Sequence, residues 1–127
     1  MRPMATLTWR AETASSGIRG RALAKVRSNN FVVDDYGFPP YNGPGEEPGA
    51  AELFLSGITA CAVLMLERIA REESLPLQHV HVAMDGSRDP DVQKPGPPTF
   101  DSAHMQFAFR GLTREQAGHL VETFKGR

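Results

Sequence analysis

The chain has 127 residues, of which 40% are hydrophobic, and a formal net charge of −1 at pH 7. This length suits one domain with a core of its own, and the nearly neutral charge argues against nucleic acid or an anionic membrane surface as the main partner. The single cysteine excludes a disulfide within these residues, which favours an intracellular protein.

The first third of the chain predicts a meander of three strands over residues 5–35. TLTWRAET, residues 6–13, alternates apolar and polar side chains, as a half-buried strand does. ASSGIRG, residues 14–20, contains turn residues, and RALAKVRS (21–28) and NFVVDD (30–35) predict two further strands. The N-terminal residues lack the apolar core of a signal peptide, so we expect a cytoplasmic location.

YGFPPYNGPGEEPG, residues 36–49, follows the meander and is rich in proline and glycine. These residues favour turns and interrupt helices and strands, so the segment predicts a loop. A loop of this length inside a small domain is typically a functional lid or a mobile link.

Residues 50–73, AAELFLSGITACAVLMLERIAREE, predict a helix in which only Gly57 is a weak helix former. The first two thirds are apolar all round and are therefore expected to be buried on most sides. Only the last turns, with Glu67, Arg68 and Arg71, look solvated. The longest apolar run, residues 58–66, is too short to span a bilayer, so no membrane partner is expected.

The remaining elements are two strands within residues 77–111, separated by a loop over residues 88–98, and a helix over residues 113–127. In the first strand Val80, Val82 and Met84 share one face. Thr113 and Gln116 have the spacing of a capping box at the start of the last helix. The order β-β-β-α-β-β-α predicts an α+β fold with an antiparallel sheet.

Cys61 allows two interpretations from its neighbours alone. A lone cysteine in an apolar helix usually packs in the core. A reactive thiolate needs a nearby cation or a helix N-terminus, and Cys61 lies about three turns into its helix. Arg19 and Arg21 are candidates for that cation. Glu52 is either a helix-dipole partner in the first turn or a carboxylate that orients the arginine by a bidentate ion pair.

His79 and His81 share one strand face and could bind a metal together. No third ligand has a suitable spacing, so no metal site is predicted. Gly43, Gly45 and Gly49 are not followed by the Lys-Ser/Thr pair of a phosphate-binding loop.

GPGEEPGAAELFLSGITACAVLMLERIARE, residues 43–72, resembles the signature of the OsmC/Ohr family, the osmotically inducible and organic-hydroperoxide-resistance proteins. LPLQHVHVAMDGSRDP (75–90) and FDSAHMQFAFRGLTREQAGHLVETFKGR (100–127) resemble the elements that follow in that family. The resemblance implies one OsmC-like domain over residues 1–127. Its antiparallel sheet would pack on a long buried central helix and a second helix, in an intertwined homodimer.

The resemblance also implies thiol-dependent reduction of organic hydroperoxides, without a cofactor other than an external thiol or dithiol reductant. Cys61 matches the cysteine that attacks the peroxide and becomes a sulfenic acid. Matching GIRG assigns the thiolate-stabilising arginine to Arg19, and counting back from SNN assigns it to Arg21. The best-known peroxidases of the family carry their glutamate where Ala51 stands here, and Glu52 comes one place later.

A Cys-Pro pair usually follows the second helix in this family, and these residues end at FKGR. Either a resolving cysteine follows Arg127, or the sulfenic acid is reduced by an external thiol. Three functions stay open. The chain is a thiol-dependent peroxidase, or it is a non-catalytic protein whose dimer interface binds a small apolar ligand beside Cys61. A scaffold role has no support from any particular residue.

Overall fold

The helices and strands follow the predicted order in the computed structural model, which describes residues 5–92 and 100–127. The chain divides into two compact units, Met1–Leu53 and Phe54–Arg127, and each is described by itself below. Most of the predicted loop 88–98 lies outside the described residues.

The first unit contains a three-stranded antiparallel sheet of β1 (Glu12–Ser15), β2 (Arg21–Val26) and β3 (Asn29–Asp34). This confirms the predicted meander. Leu23 of β2 lies opposite Ala14 on one side and Val32 on the other, and Arg21 lies opposite Asp34. The register therefore places Arg21 and Asp34 side by side at one end of the β2–β3 hairpin.

The predicted strand over residues 6–13 is wrong for most of its length, because β1 begins only at Glu12. Side-chain alternation shows which face a residue would occupy, but a strand also needs a hydrogen-bonded neighbour. Residues 6–11 have no such neighbour in the part of the chain that the structure describes. Leu7 and Trp9 are consequently 68% and 78% exposed.

The loop over residues 35–49 contains no helix or strand, as predicted, and folds back on its own backbone. Gly43 donates its N–H to the carbonyl of Tyr36 over 2.7 Å, and Gly45 donates to Asp35 over 3.0 Å. Gly45 has a φ of +63°, and a Cβ at this position would lie 2.8 Å from the nitrogen of Gly37. A side chain at Gly45 is therefore excluded by backbone conformation and by space.

Helix α1 (Ala50–Glu72) agrees with the predicted helix to within one residue. Its first intrahelical bond runs from the N–H of Leu53 to the carbonyl of Gly49, which makes Gly49 the N-cap. At the other end Ser74 has a φ of +54°, and the N–H of Leu75 bonds to the carbonyl of Ala70. This left-handed residue ends the helix.

The second unit packs most of α1 with a two-stranded antiparallel sheet and helix α2 (Arg114–Lys125). The sheet pairs β4 (His79–Ser87) with β5 (Ser102–Arg110). The buried core comprises Leu66, Ile69, Ala70, Val80 and Leu120. Partly buried side chains around it are Val63, Met65, Leu75, Leu77, Val82, Phe107, Phe109, Leu112 and Phe124. The α+β prediction is confirmed.

The predicted capping box at the start of α2 is also confirmed. Thr113 Oγ1 accepts the backbone N–H of Gln116 over 3.1 Å, and Gln116 Oε1 accepts the backbone N–H of Thr113 over 3.0 Å. Two otherwise unpaired donors of the first turn are thereby satisfied.

The predicted burial of α1 is wrong in its distribution. The buried residues Ala62, Leu66, Ile69 and Ala70 lie in the C-terminal half, whereas Leu64 is 58% exposed. One helix face packs on the core of the second unit, and a single chain leaves much of the other apolar surface uncovered. By length and composition α1 could also cross a membrane, but the core helix of a soluble protein meets the same criterion.

Candidate active site

Cys61 lies on the surface of α1, on a stripe that faces away from the core. Phe54, Gly57, Cys61 and Leu64 follow one another at helical spacings of three and four residues, so they share one side of the helix. We call these four residues the Cys61 stripe. All four are exposed. The thiol is therefore accessible from an apolar surface, in contrast to the packed core cysteine that composition alone favours.

The neighbours of Cys61 on its own helix provide no charge that would stabilise a thiolate. The positions three and four residues away are occupied by Gly57, Ile58, Leu64 and Met65. The nearest arginine on the same side of α1 is Arg68. It lies seven residues after Cys61, which is about 10 Å along the helix axis. Any cation beside the thiolate must come from outside these turns.

Arg19 lies in the turn between β1 and β2. Gly17 and Gly20 of the same turn have φ values of +91° and +77°. Ser16 holds the turn, because its hydroxyl accepts the N–H of Ile18 over 3.0 Å and donates to the carbonyl of Arg21 over 2.8 Å. The side chain of Arg19 forms no hydrogen bond or ion pair with another described residue. Its guanidinium is therefore available to a ligand or a thiolate.

Arg21 is held by acidic side chains of its own unit. Its Nε lies 2.7 Å from Asp34 Oδ1, its Nη2 lies 2.9 Å from Asp34 Oδ2, and the same Nη2 lies 3.4 Å from Glu46 Oε1. The hydrogen bond from Arg21 is the main cause that lowers the pKa of Asp34 to about 2. The bond to Asp34 likewise raises the pKa of Arg21 above its ordinary value. The forked guanidinium is thus committed to Asp34.

Asp34 itself did not emerge from the sequence as a candidate. Its side chain is fully buried, and its Oδ2 also accepts the backbone N–H groups of Glu46 and Glu47 over 3.1 and 2.9 Å. One feature of the sequence could have pointed to Asp34. It is a carboxylate at the end of an apolar strand, at the position that the register of the hairpin pairs with Arg21.

Glu52 acts at the N-terminus of α1. Its Oε1 accepts the backbone N–H of Gly49 over 2.9 Å, and no ion pair joins it to an arginine among the described residues. The hydroxyl of Tyr36 accepts the N–H of Ala51 over 2.9 Å. Two of the unpaired donors at the start of α1 therefore have side-chain acceptors. Glu52 performs the first-turn role that its position allows.

The histidines do not form a metal site in the part of the chain that the structure describes. Residues 5–92 and 100–127 contain no group of three or more His, Cys, Asp and Glu side chains that could hold a metal ion. His79 and His81 are exposed on β4, and His119 of α2 contacts Glu73 Oε1 over 2.9 Å. A cavity of about 120 Å³ in the second unit is lined by Glu67, Arg71, Leu77 and His79 among others, and Cys61 is not among its lining residues.

Comparison with protein families supports the resemblance read from the motifs. Residues 43–127 match the family model described as OsmC-like protein. The chain belongs to the OsmC-like protein family. The match includes Glu52 and Cys61, and it begins after the turn that carries Arg19 and the strand that carries Arg21. No curated protein matches the sequence significantly.

Solved structures share the fold of this OsmC-like chain at low sequence identity. An OsmC-like protein from Mycoplasma pneumoniae superposes with a TM-score of 0.80 at 12% identity, covering 97% of this chain and 84% of that one. The organic hydroperoxide resistance protein OsmC from Legionella pneumophila gives 0.68 at 18% identity, covering 95% and 84%. An OsmC-like protein of unknown function from Vibrio cholerae gives 0.72 at 11%, covering 95% and 89%.

Proposed function

We propose that this OsmC-like protein is a thiol-dependent peroxidase that reduces organic hydroperoxides through the thiolate of Cys61. The observation that carries the proposal is the accessibility of Cys61 on the apolar Cys61 stripe of α1. A small apolar hydroperoxide can approach such a thiol, whereas a thiol packed in the core would be closed to it. A structural relative described as an organic hydroperoxide resistance protein has the same fold.

The proposed reaction transfers two electrons from sulfur to the peroxide. The Cys61 thiolate attacks one peroxide oxygen, an S–O bond forms, the O–O bond breaks, and the alkoxide leaves and takes a proton to become an alcohol. Cys61 is then a sulfenic acid. One external thiol displaces water to give a mixed disulfide, and a second thiol releases Cys61 with formation of the reductant's disulfide. A dithiol supplies both steps.

Arg19 is the arginine that we assign to the thiolate. Arg21 is committed to Asp34 and Glu46, whereas the guanidinium of Arg19 has no partner among the described residues. A free guanidinium can stabilise a thiolate without first breaking a buried ion pair. This contrast favours the family match through GIRG, which assigns the role to Arg19, over the count back from SNN, which assigns it to Arg21.

We also assign a homodimer to the active form. Leu7 and Trp9 of the first unit and Phe54 and Leu64 of the second expose large apolar side chains, each more than half accessible. Exposed apolar surfaces of this kind mark protein interfaces. A second copy of the chain could cover them, and residues 6–11 retain the alternation of a strand that lacks a neighbour.

A non-catalytic protein that binds a small apolar ligand beside Cys61 is the second candidate. The bond between Glu52 and the N–H of Gly49 favours it, because this carboxylate is used by the helix terminus and does not orient an arginine within the first unit. On this alternative the apolar stripe holds the ligand and the thiol only lines the site.

The deciding experiment measures dithiothreitol-dependent consumption of cumene hydroperoxide by the purified protein. We expect turnover by the wild type and none by Cys61→Ser, with circular dichroism confirming that the variant is folded. Equal inactivity of two folded proteins would exclude the peroxidase. Alkylation of Cys61 by iodoacetamide adds a second criterion. A rate that stays high down to pH 6 supports a thiolate, and a rate that rises only near pH 9 supports the binding protein.

A further inference from the structure

The side chain of Asp34 takes part in more hydrogen bonds than the side chain of any predicted site residue. Its Oδ1 accepts Arg21 Nε, and its Oδ2 accepts Arg21 Nη2 and the backbone N–H groups of Glu46 and Glu47. The side chain has no exposed surface. A buried carboxylate is tolerated only when such donors replace water, so the charge and its donors depend on one another.

Backbone hydrogen bonds of Asp34 and Asp35 also join the end of β3 to neighbouring segments. Asp34 donates its N–H to the carbonyl of Pro48 over 3.2 Å, and Asp35 donates to Gly20 over 2.8 Å. The end of β3 is thereby bonded to the turn before β2 and to the last residues of the loop. The side chain and the backbone of Asp34 thus hold the last residues of the loop against the end of β3.

The loop in turn contacts the start of α1 through Tyr36. The Tyr36 hydroxyl accepts the N–H of Ala51, and the Tyr36 ring packs so closely on Gly49 that a Cβ there would overlap it. Tyr36 also stacks on Phe38, and its ring meets Tyr41 edge to face at centroid distances of 5.4 and 5.1 Å. A shift of the loop would therefore move the acceptors that begin the helix.

We infer that Asp34 is a positioning residue, which fixes the loop over residues 36–49 through Arg21 and the amides of Glu46 and Glu47 and so sets the start of the helix that carries Cys61. The inference rests on the proposed function for its catalytic consequence. Asparagine at position 34 has the same shape but one acceptor oxygen, and its NH₂ group would face donors. The variant Asp34→Asn should therefore release the loop without changing the core of the second unit.

The two tyrosines of the chain provide a specific probe, because Tyr36 and Tyr41 are the only ones and both belong to the loop. Protein labelled with 3-fluorotyrosine gives two ¹⁹F resonances that report on this loop alone. We expect both to shift, broaden or double in Asp34→Asn, and to change less in Arg21→Lys, which keeps the charge and loses the fork. Glu12→Gln is the matched control, because Glu12 has an exposed ion pair with Arg10 in the same sheet.

The catalytic consequence is measured at a temperature where circular dichroism shows every variant folded. We expect kcat/KM for cumene hydroperoxide to fall about tenfold or more in Asp34→Asn, since small displacements at a distance lower rates strongly. Glu12→Gln should stay within about twofold of the wild type. A purely structural Asp34 would lower the unfolding midpoint and leave kcat/KM of the folded variant unchanged.

Unchanged ¹⁹F resonances in folded Asp34→Asn overturn the inference, and so do changed resonances with an unchanged kcat/KM. If Asp34→Asn does not fold, Arg21→Lys is judged by the same two criteria. If the wild type has no peroxidase activity, the proposed function fails by itself. The resonances then still decide whether Asp34 holds the loop.

Discussion

The carboxylate of Glu52 accepts the backbone N–H of Gly49 over 2.9 Å, and this bond closes the first turn of α1. The carboxylate that the sequence offered as a possible partner of an arginine is therefore engaged at its own helix terminus. Glutamate at the third position of a helix also interacts favourably with the helix dipole. Two substitutions of Glu52 can separate its contribution to helix stability from a role in catalysis.

Glu52→Gln should keep the protein folded and active, because glutamine can accept the same N–H bond. Glu52→Ala should lower the free energy of unfolding by about 0.3 to 1 kcal/mol, the usual size of a charge interaction at a helix N-terminus. Urea unfolding and the hydroperoxide assay test the two variants together. A loss of more than tenfold in kcat/KM for a fully folded Glu52→Gln would show that the carboxylate serves the reaction.

Arg19 and Arg21 should respond differently to the same removal of charge. Arg19→Gln should slow alkylation of Cys61 at pH 7 by about tenfold, since the thiolate fraction falls when its cation is lost. In folded protein, Arg21→Gln should leave that rate within about twofold, because the charge of Arg21 is paired with Asp34. Iodoacetamide kinetics measure both variants. The opposite order would assign the thiolate to Arg21.

The stability provided by Asp34 should disappear in acid. The hydrogen bond from Arg21 holds the pKa of Asp34 at about 2, below the ordinary value of 3.8. Arg21 also contacts the side chain of Glu46. A depressed pKa stabilises the folded state above the unfolded pKa and ceases to do so as the pH falls. The difference in urea midpoint between wild type and Asp34→Asn should therefore be constant above about pH 5 and shrink towards pH 2. A difference independent of pH would contradict this.

Leu64→Glu should separate the proposed homodimer into folded monomers. A carboxylate introduced on the Cys61 stripe would be desolvated in the interface, and we expect the dissociation constant to rise about a hundredfold or more. Gly118→Glu is the control, since it places the same charge on α2 where the described chain leaves space. Sedimentation velocity over a concentration series measures both. An unchanged dimer in Leu64→Glu would remove the stripe from the interface.

Leu66→Ala should be among the most destabilising substitutions in the second unit. Leu66 is fully buried in the core, and truncation of such a leucine typically costs about 2 to 5 kcal/mol of unfolding free energy. Its exposed neighbour Glu67 provides the matched control, and Glu67→Ala should change stability by about 0.5 kcal/mol or less. Chemical denaturation of both variants at one protein concentration makes the comparison.

Local patterns predicted both helices well. The continuous run of helix formers fixed α1 to within one residue, and Thr113 with Gln116 predicted the capping box that begins α2. These signals depend on side chains three or four residues apart, which interact wherever the helix is placed. The order of the elements was then enough to predict an α+β fold.

The site was harder to predict because its bonds join distant residues. Arg21 and Asp34 are thirteen residues apart, and their pairing follows from hairpin register and not from any local motif. Tyr36 and Ala51 are fifteen residues apart, and the folded loop brings them together. The exposure of Leu64 could not be read from hydropathy either, because an apolar residue looks the same whether its own chain or another covers it.

Gly57 lies one turn before Cys61, and no heavy atom of the described residues, apart from its own helical neighbours, comes within 4 Å of where a Cβ would stand. Alanine would thus fit in the single chain, and it is favoured over glycine inside a helix by about 1 kcal/mol. Gly57 is consequently a natural position for engineering greater thermostability. It also leaves the helix surface beside the thiol bare, so the more stable variant would expose Cys61 less.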